Sequence, residues 1–219
     1  KKYSGICLFL PNLEKIDYKR IRQGIGKYPI ISLTPMKNPT IDTVSFDSYS
    51  GGYMIAKHFE EEGYKNFGIV SGPGDAVDAV FRKNGFVDHI SEKEDLKLVW
   101  EYKGDFSSES GRDAFNDYKN QNIPNMAIFG CNDHTCFGFM KEALEAGYKI
   151  PKDFIIAGYD NLSFCDNFTP ELTSVATNFD ILGKRAIRTI ENMVNDSNEI
   201  IRQFSMVPVE IVIRSSTQN

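Results

Sequence analysis

Three short apolar runs in this chain each stop on a polar residue that can hydrogen-bond. Residues 67–70 stop at Ser71, Met126–Gly130 runs through Cys131 to Asn132, and residues 154–158 run on to Asp160. A hydroxyl, an amide and a carboxylate together can donate to and accept from the hydroxyls of a small polyol. In an open parallel sheet the carboxyl ends of the strands form the rim of the ligand crevice. The spacing therefore predicts these three side chains on one rim, facing a small molecule. Asn and Asp in such positions also cap the helix that follows. Capping is the reading for Asp133 and Asn161; ligand contact is the reading for Asn132 and Asp160.

Other constellations carry less chemistry. Gly72-Pro73-Gly74 follows a strand, but it lacks the Lys-Ser/Thr of a phosphate loop and the spacing of a dinucleotide fingerprint, so it reads as a turn. Cys131, His134 and Cys136 fit no usual zinc spacing. His58 and His89 are remote in sequence and sit in polar contexts. No nucleophile elbow and no acid/base carboxylate pair is visible. The expectation is a protein that is not an enzyme and uses no metal or cofactor.

The elements that must position these residues alternate strand and helix, the signature of a parallel sheet covered by helices. Strands are predicted at 4–10, 29–33, 44–46, 67–70, 98–102, 126–129, 154–157 and 209–214. Helices are predicted at 50–62, 107–120, 135–145 and 180–195, with a short one between the first two strands. Gly63 and Gly147 read as C-terminal stops and Asp180 as an N-cap. Phe137, Phe139, Phe164 and Phe168 could form an exposed aromatic patch, with interior packing preferred for Phe137.

Composition sets bounds. The 219 residues suffice for one or two domains, and 41% hydrophobic content supports a sizeable core. A net charge of −5 argues against this segment gripping phosphate backbones by itself. The four cysteines lack the spacing of a stapled secreted domain, and Cys7 and Cys131 sit in strand-like runs. Buried free thiols in a reducing cytoplasm are expected. Residues 1–11 read as a strand, not a signal peptide, and no run reaches the length of a membrane span.

An ordered set of short motifs spans nearly the whole chain. It runs Val44-Ser45-Phe46-Asp47, Gly51-Gly52-Tyr53, Gly72-Pro73 and Arg82-Lys83-Asn84-Gly85-Phe86. It continues with Asn132-Asp133 and Gly138, Ile150-Pro151-Lys152-Asp153 and Gly158-Tyr159-Asp160-Asn161. It closes on Pro170-Glu171-Leu172-Thr173-Ser174-Val175, Leu182-Gly183 and the tail Ile213-Arg214-Ser215-Ser216-Thr217. In this the chain resembles the effector-binding core of LacI/GalR-type bacterial transcription regulators, which is similar in fold to periplasmic sugar-binding proteins. It departs at Tyr64, where the family commonly has histidine. The family's helix-turn-helix head, its hinge and the first part of its amino-terminal subdomain have no counterpart in these residues.

The resemblance implies an α/β fold of two doubly wound parallel-sheet subdomains around a ligand cleft. The amino-terminal subdomain would hold 1–46 and 179–206, the carboxyl-terminal one 47–178 and 207–219, with three crossings between them. Arg82 falls where the family uses an arginine to hold ligand oxygens, and a planar guanidinium fork suits two adjacent oxygens. Phe106 falls where the family often sets an aromatic against the ligand's flat face, with core packing as the alternative; Phe179 is divided the same way. Asp78 and Asp47 are further cleft candidates, with solvated or capping roles as alternatives. The implied protein is a cytoplasmic homodimer that binds a small effector and reaches operator DNA only through a separate head. A neutral sugar fits best, with sugar phosphates and purines open. An exported sugar-binding protein of a transport system is the alternative.

Overall fold

The computed structural model describes residues 4–10, 15–35, 40–121, 123–195 and 204–218. Residues 1–3 and 11 of the stretch weighed against a signal peptide lie outside these. The chain divides into two units: Lys1–Asp47, Ala76–Asp78 and Asn178–Pro208 form the first, and Ser48–Asp75, Ala79–Thr177 and Val209–Asn219 the second.

The first unit is built on a four-stranded parallel sheet. Its strands are β1 (Ile6–Leu8), β2 (Ile30–Ser32), β3 (Asp42–Phe46) and β9 (Phe204–Val207), in that order. Helix α1 (Lys15–Ile25) sets Ile21 and Ile25 against Ile30 and Ile41. Helix α6 (Phe179–Asn195) sets Leu182 and Ala186 against Ile31, Val44 and Val207. Adjacent residues Ile30 and Ile31 thus point to opposite faces, as the pleat of a strand requires. Asn178 caps α6, its side chain accepting from the Ile181 amide at 3.1 Å. The expected cap, Asp180, lies inside the first turn, where a carboxylate still favours the helix dipole.

The second unit carries six strands. They are β4 (Asn66–Ser71), β5 (Lys97–Lys103), β6 (Met126–Gly130), β7 (Phe154–Asp160), β8 (Thr173–Ala176) and β10 (Glu210–Val212), ordered β10-β8-β7-β6-β4-β5. All pairs are parallel except β10 with β8. Helices α2 (Ser48–Glu61) and α3 (Val77–Ser91) supply Ile55, Phe59, Phe86 and Ile90 to one core, with Ala127, Phe129, Ile155, Ala157 and Tyr159 from the sheet. Helices α4 (Ser108–Tyr118) and α5 (Asp133–Glu145) supply Phe115, Tyr118, Phe139 and Met140 to the other, with Ile128 and Ile156. Gly63 and Gly147, at φ +85° and +87°, end α2 and α5 in the left-handed turn that glycine allows.

The strand order reverses between β4 and β6. After β4 the chain goes out to β5 on one side, then returns to β6 on the other. Open α/β sheets bind ligands outside the strand carboxyl ends at such a point. Ser71 and Asn132 belong to those two ends, and Asp160 closes the neighbouring strand.

Several elements depart from expectation. Helix α3 was not delimited, since Gly85 interrupts its pattern. That glycine is required by packing: a Cβ there would lie 2.0 Å from the Tyr49 carbonyl oxygen of α2, and one at Gly52 would lie 1.9 Å from that of Arg82. Strand β8 (Thr173–Ala176) carries Thr173 and Ser174 fully buried, so its apolar signal is only Val175 and Ala176. Strand β9 has Phe204 and Met206 exposed, and the predicted strand at 209–214 shortens to β10. Cys7 is exposed, contrary to the expected burial, while Cys131, Cys136 and Cys165 are buried; all four are free thiols. His58 and His89 are also buried, each with a polar partner: His58 Nε2 lies 2.8 Å from the Thr217 hydroxyl and His89 Nε2 2.8 Å from a Glu60 carboxylate oxygen. Phe139 is core, and Phe164 and Phe168 lie half-buried against Phe137 at 5.5 and 5.1 Å between ring centroids. No helix among the described residues is long and apolar enough to cross a membrane.

Candidate functional site

Four of the expected site residues come together in the second unit. Arg82 projects from α3 and is only 9% exposed. One guanidinium nitrogen donates to the Cys131 carbonyl at 2.7 Å and another to Asp160 Oδ1 at 3.0 Å. The guanidinium lies 3.8 Å from the ring centroid of Tyr159 and 5.8 Å from that of Phe106. A planar cation over an aromatic face gains electrostatically and keeps its edge available for hydrogen bonds.

Asn132 sits between two elements. Its Oδ1 accepts from the Thr135 amide at 3.0 Å, making it the N-cap of α5. Its Nδ2 donates to the Phe106 carbonyl at 2.9 Å. The capping role expected for Asp133 is thus filled by Asn132. Phe106 itself stands at φ +73°, an uncommon conformation for a residue with a Cβ, and lies half-buried against the core shared by α2 and α3. Ser71, the hydroxyl at the third strand end, donates to the Tyr102 carbonyl at 3.3 Å.

Asp133 is fully buried. Its carboxylate accepts from the Ser174 hydroxyl at 2.6 Å, the Leu162 amide at 2.8 Å and the Cys165 thiol at 3.3 Å. Burial raises its pKa to about 6, opposed by the Ser174 and Leu162 hydrogen bonds. Asn161 does not cap a helix; its Oδ1 accepts from Arg214 at 2.8 Å. Burial pushes the Cys131 thiol up to about 12, with the Arg82 charge pulling the other way, and raises Cys136 and Cys165 as well. A thiol in that state is not a nucleophile at neutral pH.

The remaining expected residues belong to the first unit. Phe179 opens α6, is 58% exposed, and meets Phe46 edge-on at 5.2 Å. Asp47 is half-buried, and its amide donates to the Val207 carbonyl at 2.9 Å. Asp78 lies in the first turn of α3, in the three-residue stretch that groups with the first unit.

Tyr159 was missed by sequence reasoning. The strand period could have found it, since Ile155, Ala157 and Tyr159 alternate onto the face that α3 covers. The roles of Ser174 and Arg214 had no such signal, because both act through contacts more than ten residues away in sequence.

These features define an α/β domain with a polar cluster at the switch point of its sheet. Residues 56–217 match the family model for the periplasmic binding protein-like domain, and the chain belongs to that family. Relatives that match across most of the chain are HTH-type transcriptional repressors. It is 30% identical over 221 residues to the HTH-type transcriptional repressor PurR of Mannheimia succiniciproducens, a match that spans this whole chain and 65% of the relative. It is 32% identical over 184 residues to the PurR of Photobacterium profundum, covering 84% of this chain and 55% of the relative. The chain thus spans about two thirds or less of the length of these relatives. Among solved structures, a lac repressor dimer bound to operator and the anti-inducer ONPF superposes with a TM-score of 0.87 at 22% identity, over 99% of this chain and 64% of the other. A LacI family transcriptional regulator from Enterococcus faecalis with bound ribose gives 0.84 at 25% identity, over 99% and 78%.

Proposed function

We propose that this chain is the effector-sensing part of a LacI/GalR-type transcription regulator. Its two units are the subdomains, and its effector is a small sugar-like ligand. The observation that carries this reading is the meeting of Arg82, Asp160, Asn132 and Phe106 at the carboxyl ends of the strands flanking the switch point. A carboxylate offers about four acceptor positions, so a ligand hydroxyl can add to Asp160 beside its bond to Arg82. The guanidinium's positive charge and the Phe106 ring complete a site for a polyol with one flat face. Phe179, Asp47 and Asp78, of the first unit, are proposed as further ligand contacts.

Binding acts by differential affinity: the ligand favours one arrangement of the subdomains over another, and only that difference can alter operator binding. The full-length protein is assigned as a cytoplasmic, non-enzymatic homodimer that touches DNA through a separate head. The ribose-bound regulator at 25% identity supports a sugar. The matched relatives are repressors, which argues against a transport carrier.

Calorimetry with D-ribose, ribose 5-phosphate and adenine tests the reading. Saturable binding of D-ribose that Asp160→Ala abolishes is the expected result. Binding unchanged by Asp160→Ala, or no binding of any of the three, counts against it.

A further inference from the structure

Asp160 stands at φ +108° and its neighbour Asn161 at φ +53°. Two successive residues with a Cβ in this region are disfavoured by sterics and persist only where the surroundings hold them. The surroundings here do so from both sides. The Asn161 amide donates to the Ser174 hydroxyl at 3.0 Å, and that hydroxyl donates onward to Asp133 Oδ1 at 2.6 Å. The second oxygen of Asp133 takes the Leu162 amide at 2.8 Å. One buried carboxylate therefore fixes the two amides that follow Asp160, one directly and one by turning the Ser174 lone pair toward it.

On the side-chain face, Arg214 donates to Asn161 Oδ1 at 2.8 Å and to the Leu172 carbonyl at 2.7 Å, with Asp166 at 2.6 Å from the same guanidinium. The Thr177 hydroxyl holds the Asp160 carbonyl at 3.1 Å. The strand leaves room for this arrangement at Gly158, where a Cβ would lie 2.3 Å from Asp133 Oδ1.

We propose that Asp133, acting through Ser174, and Arg214, acting through Asn161, are positioning residues that aim the Asp160 carboxylate at Arg82. The geometry stands without a ligand; the link to sensing rests on the function proposed above.

The test reads the Arg82–Asp160 contact itself. Solvent exchange of the Arg82 guanidinium protons, assigned by their loss in Arg82→Lys, is followed by NMR on the whole chain. Ser174→Ala and Arg214→Lys are each expected to speed that exchange about tenfold, while the Ile128 and Ile156 amides keep their rates. Ser174→Thr, which retains the hydroxyl, is expected to restore slow exchange. Unchanged Arg82 protons in both variants overturn the proposal, as does a parallel rise at Ile128 and Ile156, which marks general loosening. If Ser174→Ala fails to fold, Arg214→Lys decides alone. Absence of D-ribose binding by the unaltered chain would instead overturn the sensor reading and leave the positioning roles to the exchange result.

Discussion

Arg82 and Asp160 lie 78 positions apart in sequence and meet at 3.0 Å, with the same guanidinium also holding the Cys131 carbonyl. One side chain thus ties helix α3 to the ends of β6 and β7. The group best suited to grip a ligand is also part of the scaffold. That double role changes what its removal does.

Arg82→Ala is expected to lower stability by about 2 kcal/mol as well as to weaken ligand binding. It strips a buried carbonyl of its donor and a part-buried carboxylate of its counter-ion. Urea denaturation checks the first effect and D-ribose calorimetry below the transition checks the second. Equal denaturation midpoints for both chains would show that the residue is a ligand group only.

Asn132 separates into two measurable halves. Asn132→Asp keeps an acceptor for the Thr135 amide but loses the donor to the Phe106 carbonyl. Asn132→Ala loses both, with the cap alone worth about 1 kcal/mol. The expected order of melting temperatures is the unaltered chain, then Asp, then Ala.

Gly52 and Gly85 set the distance between α2 and α3. A Cβ at either would sit about 2 Å from a backbone oxygen of the facing helix, so the helices must separate. Gly85→Ala is expected to cost at least about 2 kcal/mol, the upper part of the usual overpacking range. It should also displace Arg82, one turn earlier on α3, so that the D-ribose affinity falls with it. Gly74→Ala, where nothing lies within 4 Å, is the control and should be near neutral.

Two buried groups give the chain opposing pH dependences. Asp133 binds its proton at about 6 when folded, against an ordinary Asp value of 3.8. Between those values the folded state holds more proton than the unfolded one, so stability falls as pH rises from about 4 to 6. At about 1.4 kcal/mol per unit the loss is about 3 kcal/mol. His58 runs the other way. Burial lowers its pKa below 6.5, so the unfolded state gains the proton first and stability falls as pH drops below about 6.5. Urea denaturation across pH 4–7 should show Asp133→Asn removing the decline on the alkaline side and His58→Gln the decline on the acid side.

The sequence by itself determined the alternation of strand and helix and the places where polar residues end strands. These follow from local rules: side-chain period, helix stops at glycine, and caps at Asn or Ser. Met126–Gly130 and the stop at Gly147 needed no knowledge of the rest of the chain. What Asn132, Asp133, Asp160 and Asn161 do was left to tertiary structure. All four are short polar side chains beside a strand end, and for each the local sequence allows both a helix cap and a contact with something farther off. The partners that choose among those bonds, Phe106, Ser174, Arg82 and Arg214, come from other elements. Strand β8 was hidden for the same reason: the buried Thr173 and Ser174 hydroxyls find their partners on the segment after β10 and on helix α5. Burial of a polar group is settled by what meets it in space, and local sequence carries no record of that.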